Sequence, residues 1–221
     1  MLLVAFYFLT LLTFLFPIIL IHKSKQHKLK FRYIIIATVW ITYIVLLSKT
    51  EMLNNFDLPP RAVLLIIVPA FIMIFYLTGT RIFRSVINNI TIDTPVFLQT
   101  FRILVEIFIY LGAIEGIFPM KATFEGINFD IFVGISAPII ALLYKYNKVN
   151  NTAILFWNII SLSILSVTVY AFVSTYYFSN YIALTGRIDF IFVPYIFLAS
   201  FILPIALFLH VFSLRQVLRI N

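Results

Sequence analysis

Cysteine is absent from this chain, glycine occurs six times, and only eight of its 221 residues are acidic. The missing cysteines exclude a disulfide scaffold, the scarce glycines a collagen-like repeat, and the low charge a disordered chain. There are three histidines, His22, His27 and His210, and they are not grouped with carboxylates on one face as a membrane zinc hydrolase would need. A bis-His haem or metal site would require His22 and His210 to meet across the bundle, and the ordinary reading places both at the inner interface. A retinal-type protein needs a lysine in its seventh span, and the last lysine here is Lys148. No nucleophile–base set is visible either. No catalytic residue, cofactor or metal is therefore assigned, and an enzyme is the least favoured reading.

What the chain has in abundance is apolar surface. Hydrophobic residues make up 63% and charged residues 11%, with a mean hydropathy of +1.09. A soluble domain is about 45–50% apolar and about 25% charged. A water-soluble monomer of this size could not hide the excess. The composition predicts an all-α, multi-pass membrane protein forming a single domain over residues 1–221.

A spanning helix needs roughly 20 apolar residues. Seven stretches qualify, at about 2–21, 33–48, 60–78, 95–118, 129–144, 152–178 and 188–213, the fifth being the shortest. A β-barrel would alternate apolar and polar residues over about ten positions, whereas these stretches are apolar on both faces. The first lacks the basic n-region and small-residue cleavage site of a signal peptide, and its basic cluster follows the apolar run. It is expected to stay as a span.

Charge sets the orientation. Eleven Lys and Arg residues fall in one set of loops and four in the other, with Arg102 inside a span. By the positive-inside rule the N-terminus is outside and the C-terminus cytoplasmic, as in a bacterial cytoplasmic membrane. The net charge of +8 is thus an orientation signal and not a sign of nucleic-acid binding. The cluster Lys23, Lys25, Lys28, Lys30 and Arg32 is expected to attract anionic lipid headgroups, at about 1 kcal/mol per residue. Between the third and fourth spans, Ile82, Phe83, Val86, Ile87 and Ile90 recur at helical spacing opposite Arg81, Arg84, Ser85, Asn88 and Asn89. That pattern predicts a short amphipathic helix at about 80–92, lying in the cytoplasmic interface.

Two spans carry unusual polarity. In the fifth, Gly134, Ala137, Pro138 and Ala141 form a small-residue face. In the sixth stand Asn158, Ser161, Ser163, Ser166, Thr168, Ser174 and Thr175. Both are read as bundle interior. The fourth span is the most informative. Gln99, Arg102, Glu106 and Tyr110 lie on one helical face, and Arg102 and Glu106 are within pairing distance at i and i+4. At 1.5 Å per residue from Pro95, Arg102 sits roughly 10 Å deep and Glu106 roughly 16 Å deep, near the midplane. A charge there costs at least about 2.5–3.5 kcal/mol, so it faces the interior and pairs. The outer loop before the fifth span adds Glu115, Glu125, Asn128 and Asp130. Its three carboxylates could converge on a cation, but no calcium-loop spacing is present. Asn128 or Asp130 capping the next helix is the simpler reading.

Three stretches together carry a resemblance: PVFLQTFRILVE from Pro95, MKATFEGINFDIFVGISAPI from Met120, and FLHVFSLRQ from Phe208. They resemble an uncharacterised family of bacterial polytopic membrane proteins with a Thr-Phe-Glu-Gly-x-Asn-Phe-Asp stretch before a small-residue helix. The resemblance implies no activity. It draws attention to Gln99, Arg102, Glu106, Glu125, Asn128 and Asp130. The functional expectation is transport or binding of a small solute, ion or proton along the stripe of the fourth span. A non-catalytic assembly or scaffold subunit, as a homo- or hetero-oligomer, is the alternative, and a lipid-modifying enzyme the weakest.

Overall fold

A computed structural model describes residues 1–220 of the chain, and among them the only regular structure is helical. The principal helices are α1 (Leu2–Lys23), α2 (Lys28–Leu47), α3 (Val63–Gly79), α4 (Arg81–Asn88), α5 (Asp93–Ile114), α6 (Asp130–Lys145), α7 (Asn151–Tyr177), α8 (Tyr181–Thr185) and α9 (Leu198–Arg219). Five of these, α1, α2, α5, α7 and α9, are long and apolar enough to cross a membrane; α3 and α4 together would make a sixth. The protein is thus an all-helical chain compatible with a multi-pass membrane protein.

α9 is the hub. It packs on α3, α4, α7 and the N-terminal part of α5, and it buries a near-continuous run from Pro204 to Phe212 apart from Phe208. The expected start of this span at 188 is corrected: residues 188–197 hold a short 3-10 turn at Asp189–Ile191, and the long helix begins at Leu198. Pro194 explains the delay, since it has no N–H to donate and biases Val193 away from the α region.

Prolines shape α3 and α9 alike. Each opens with a π-type turn, Val63–Ile67 and Leu198–Ile202, that ends two residues before Pro69 and Pro204. A proline cannot donate to the carbonyl four residues back, which is Leu65 in one helix and Ser200 in the other. α2 supplies the donors. The Tyr43 hydroxyl donates to the Leu65 carbonyl at 3.0 Å, and Trp40 Nε1 to that of Ser200 at 2.8 Å. Neighbouring side chains thus satisfy backbone that proline leaves open. Tyr33 donates to the Phe14 carbonyl of α1 at 2.9 Å, one residue along from the Thr13 carbonyl that Pro17 leaves open.

α3 and α4 bend by 74° about Thr80, whose hydroxyl caps α4 by accepting from the Phe83 amide at 3.3 Å. The amphipathic helix is therefore present, but shorter than expected, and much of its apolar side is already covered. Val86 and Ile87 are buried, and Phe83 packs edge-on against Phe208 and Phe212 of α9. Gln216 Nε2 donates to the Ile87 and Ile90 carbonyls, closing the C-terminal end of α4.

α6 crosses α5 very closely. A Cβ on Gly134 would stand 2.7 Å from the Ile103 amide nitrogen, so only glycine permits this approach. Ala137 and Ala141 continue the small face, both buried. At 16 residues, α6 is about 24 Å long. It is short because the chain before it turns inward. The fourth span, expected to run to 118, ends at Ile114, and residues 115–118 together with the expected outer loop 119–128 bury Phe118, Ala122, Thr123 and Asn128 among the helices. On α7, Asn158, Ser161, Thr168 and Thr175 face inward as expected, whereas Ser163 and Ser166 are exposed and bond carbonyls of their own helix.

Candidate functional site

α5 tightens into a 3-10 turn at Gln99–Phe101, just before Arg102. Arg102 and Glu106 follow at roughly 14 Å and 20 Å along a 22-residue helix from Asp93. Both are buried, at 1% and 0% exposure. Glu106 is not the partner of Arg102. That place belongs to Asp130, the first residue of α6. Its two carboxylate oxygens receive Arg102 Nε, at 2.6 Å, and Nη2 in a two-pronged ion pair. Sequence spacing favoured Glu106 because the two share a helix face. The close α5–α6 crossing at Gly134 brings a fork-matching carboxylate from another helix instead, and bidentate geometry is the stronger contact.

The third donor of Arg102 used in the structure, Nη1, reaches His210 Nε2 of α9 at 2.9 Å. Arginine offers only donors, so Nε2 must accept and the ring proton sits on Nδ1. Nδ1 then donates to Asn158 Oδ1 of α7 at 2.8 Å. Asn158 Nδ2 in turn donates to Ser213 Oγ of α9 and to the Ile154 carbonyl, each at 2.9 Å. One relay thus ties α6, α5, α9 and α7 together. His210, expected at an interface, is buried at its centre. His22 lies elsewhere, with Lys30 Nζ 3.0 Å from its Nδ1 and its ring 5.5 Å from that of His27. Among the described residues no group of three or more His and acidic side chains forms a metal site.

Asn128 organises a second knot. Its Nδ2 donates to Glu106 Oε2 at 2.7 Å and to the Ala122 carbonyl at 3.0 Å. Its Oδ1 accepts from the Thr168 hydroxyl at 2.6 Å and from the Asp130 amide at 3.0 Å. Every hydrogen-bonding capacity of this amide is filled. The inward turn of residues 115–129 makes this possible, and Gly126 belongs to it: a Cβ there would meet the Lys121 carbonyl oxygen at 2.3 Å.

The expected stripe and loop candidates therefore divide. Asn128 and Asp130 join Arg102 and Glu106. Gln99 is buried apart, its Nε2 donating to the Ala206 carbonyl at 3.0 Å. Tyr110 is near the far end of α5, where it donates to the exposed Glu125 at 2.9 Å, and Glu115 is exposed. The three loop carboxylates do not converge. Sequence reasoning placed Asn158 and Thr168 in the bundle interior without joining them to this site, and it put His210 at an interface. Their signal was periodicity, since Asn158, Ser161, Leu165 and Thr168 share one face of α7, and His210 and Ser213 are i and i+3 on α9.

One polar atom of this assembly has no partner. Glu106 Oε1 is buried and unbonded, and Glu106 borders a cavity of about 100 Å³. Arg102, Asp130 and Thr168 also line it; the rest of the wall is almost wholly apolar and aromatic, drawn from α3, α5, α7 and α9 and from residues 118, 190 and 195. Arg102 and Asp130 cancel each other's charge, so Glu106 is the one carboxylate at the cavity without a counter-charge in contact. No family model, curated protein or solved structure matches the chain.

Proposed function

We propose that the chain is a seven-span protein of a bacterial cytoplasmic membrane, N-terminus outside and C-terminus cytoplasmic, that binds and passes a small solute, ion or proton at Glu106. The eleven-to-four bias of Lys and Arg supports the orientation. Counting α6 as a span is supported by residues 115–129, which bury Phe118, Ala122, Thr123 and Asn128 between the short helix and the outer end of α5. In this arrangement α4 lies at the cytoplasmic interface, and Lys23, Lys25, Lys28, Lys30 and Arg32 meet anionic headgroups. The Thr-Phe-Glu-Gly-x-Asn-Phe-Asp stretch, which supplies Asn128 and Asp130 to the site, supports membership of the polytopic family that it resembles.

The observation that carries the functional reading is Glu106 Oε1, buried without a partner beside a cavity. Gln99 Oε1, Ser200 Oγ and Gln216 Oε1 are also buried without a partner, but these are neutral groups; Glu106 is the one carboxylate among them, and an unpaired carboxylate at this depth is the costliest to leave so. An unpaired carboxylate oxygen leaves a place for a proton or a ligand. The scaffold reading draws its support from the Arg102–Asp130–His210–Asn158 relay, which is internally satisfied and needs no ligand.

The natural lack of cysteine gives a clean test. Val169 lines the cavity, whereas Ile160 is exposed on the outside of the same helix. In sealed vesicles, Val169→Cys is expected to react with a small charged thiol reagent from one side, and Ile160→Cys to stay unmodified. Val169→Cys that reacts only with an apolar reagent would mark the cavity as dry and favour the scaffold.

A further inference from the structure

We infer that the solute received at Glu106 is a small organic monocation, an amine with an apolar body; this rests on the reading of Glu106 as a binding site. Charge comes first. The Arg102 guanidinium is in contact with both oxygens of Asp130 and acts on the cavity as half of a neutral pair. Glu106 is left as the excess negative charge, with one oxygen held by Asn128 and the other buried without a partner at the cavity wall. An anion would meet that carboxylate and find Arg102 already engaged. A cation would complete the charge balance that a low-dielectric site demands.

The walls exclude a bare metal ion. Hard cations take six to eight oxygen ligands, and here carboxylate oxygen comes only from Glu106 and from Asp130, whose two oxygens are already taken by Arg102. The Thr168 hydroxyl spends its proton on Asn128, so its lone pairs remain to accept from an ammonium. Beyond this polar end the cavity is aromatic. Phe118 is edge-on to Phe172 at 5.9 Å and to Tyr195 at 6.0 Å, and Phe190 stacks on Tyr176 at 3.7 Å. All five rings line the same space as Glu106. Aromatic faces attract organic cations and accept apolar bodies equally well. A cavity of about 100 Å³ is smaller than the roughly 150 Å³ cavity known to admit benzene, so the body is small. A proton and the ammonium compete for one oxygen. When Glu106 is protonated in the empty site, binding of the ammonium forms the ion pair and releases that one proton to water.

Three probes of nearly equal shape separate the possibilities: n-butylamine, 1-butanol and butyrate. Binding to the full-length protein in nanodiscs is measured by calorimetry, in two buffers of different ionisation enthalpy to count released protons. The amine is expected to bind at least about tenfold more tightly than the alcohol, with butyrate weakest. Glu106→Gln, which keeps an acceptor for Asn128, should bring the amine's affinity down to that of the alcohol and abolish the proton release. Phe172→Leu should weaken the amine about threefold, the size of a lost cation–π contact. If alcohol and amine bind alike, or butyrate binds best, the cation inference falls and the solute site stands. If none of the three binds to a folded protein, the binding reading of Glu106 falls with it.

Discussion

α2 and α9 are apolar helices of 20 and 22 residues, and they are fixed by opposite means. α2 buries only Ala37, Ile44 and Leu47. It is tied down by Tyr33, Trp40 and Tyr43, which reach backbone carbonyls of α1, α9 and α3 near their prolines. Its side of the bundle encloses an apolar cavity of about 280 Å³ bordered by Trp40, Met73 and Phe208. α9 buries much of its surface; it too has neutral contacts, through Ser200, Ala206, Ser213 and Gln216, but at its centre His210 reaches Arg102 and through it Asp130, a relay of ionisable groups that α2 lacks. Hydrogen bonds to backbone tolerate loose packing because each stands alone. A relay through charged groups does not, since loss of one member strands the others. The charged side should therefore be the rigid part of the molecule and the α2 side the forgiving one.

Breaking the ion pair should give the largest effect. Arg102→Met or Asp130→Asn alone is expected to cost about 3–5 kcal/mol in detergent unfolding titrations, and the double variant should regain much of it. Two single losses that simply add would dissolve the distinction between the two sides. Next is Asn128→Ala, which strips partners from Glu106, Thr168 and the Asp130 amide. Each buried group left unpaired costs about 1–3 kcal/mol, so the thermal midpoint should fall clearly below that of any α2 variant. Trp40→Phe keeps the packing but removes the donor to Ser200, and an expected loss of about 0.5–2 kcal/mol would show in the same titration. Smallest is Val39→Ala on the exposed side of α2, within about 0.5 kcal/mol of the parent. A loss there as large as that of Asn128→Ala would mean that α2 is not the loosely held helix.

Sequence alone carried the helical class, because twenty-residue apolar runs have few other readings. Ends were read well where capping or charge marks them, as at Lys23 and Asn151, and poorly at 188, where apolar residues continue through a non-helical stretch broken by Pro194. Arg102 and Glu106 were found because charge in an apolar run is conspicuous. The identity of their partners was not, since spacing within one helix says nothing about which residue a neighbouring helix presents. Asp130 reads as a helix-entry cap in sequence, and only the inward turn of residues 115–129 with the Gly134 crossing puts it beside Arg102. Asn158 was read as interior but its link to His210 was not, because neutral polar residues in apolar helices usually bond their own backbone, as Ser163 and Ser166 do.

The central claim is that Arg102 belongs to Asp130, which leaves Glu106 at the cavity wall without a counter-charge in contact. Two double-mutant cycles sharing Arg102→Met test it directly, one with Asp130→Asn and one with Glu106→Gln, each read by unfolding free energy. The coupling with Asp130 is predicted to exceed that with Glu106 by at least about 1 kcal/mol, within the range that contacting residues show. A larger coupling with Glu106 would return Arg102 to its neighbour on α5 and leave the cavity without a free carboxylate.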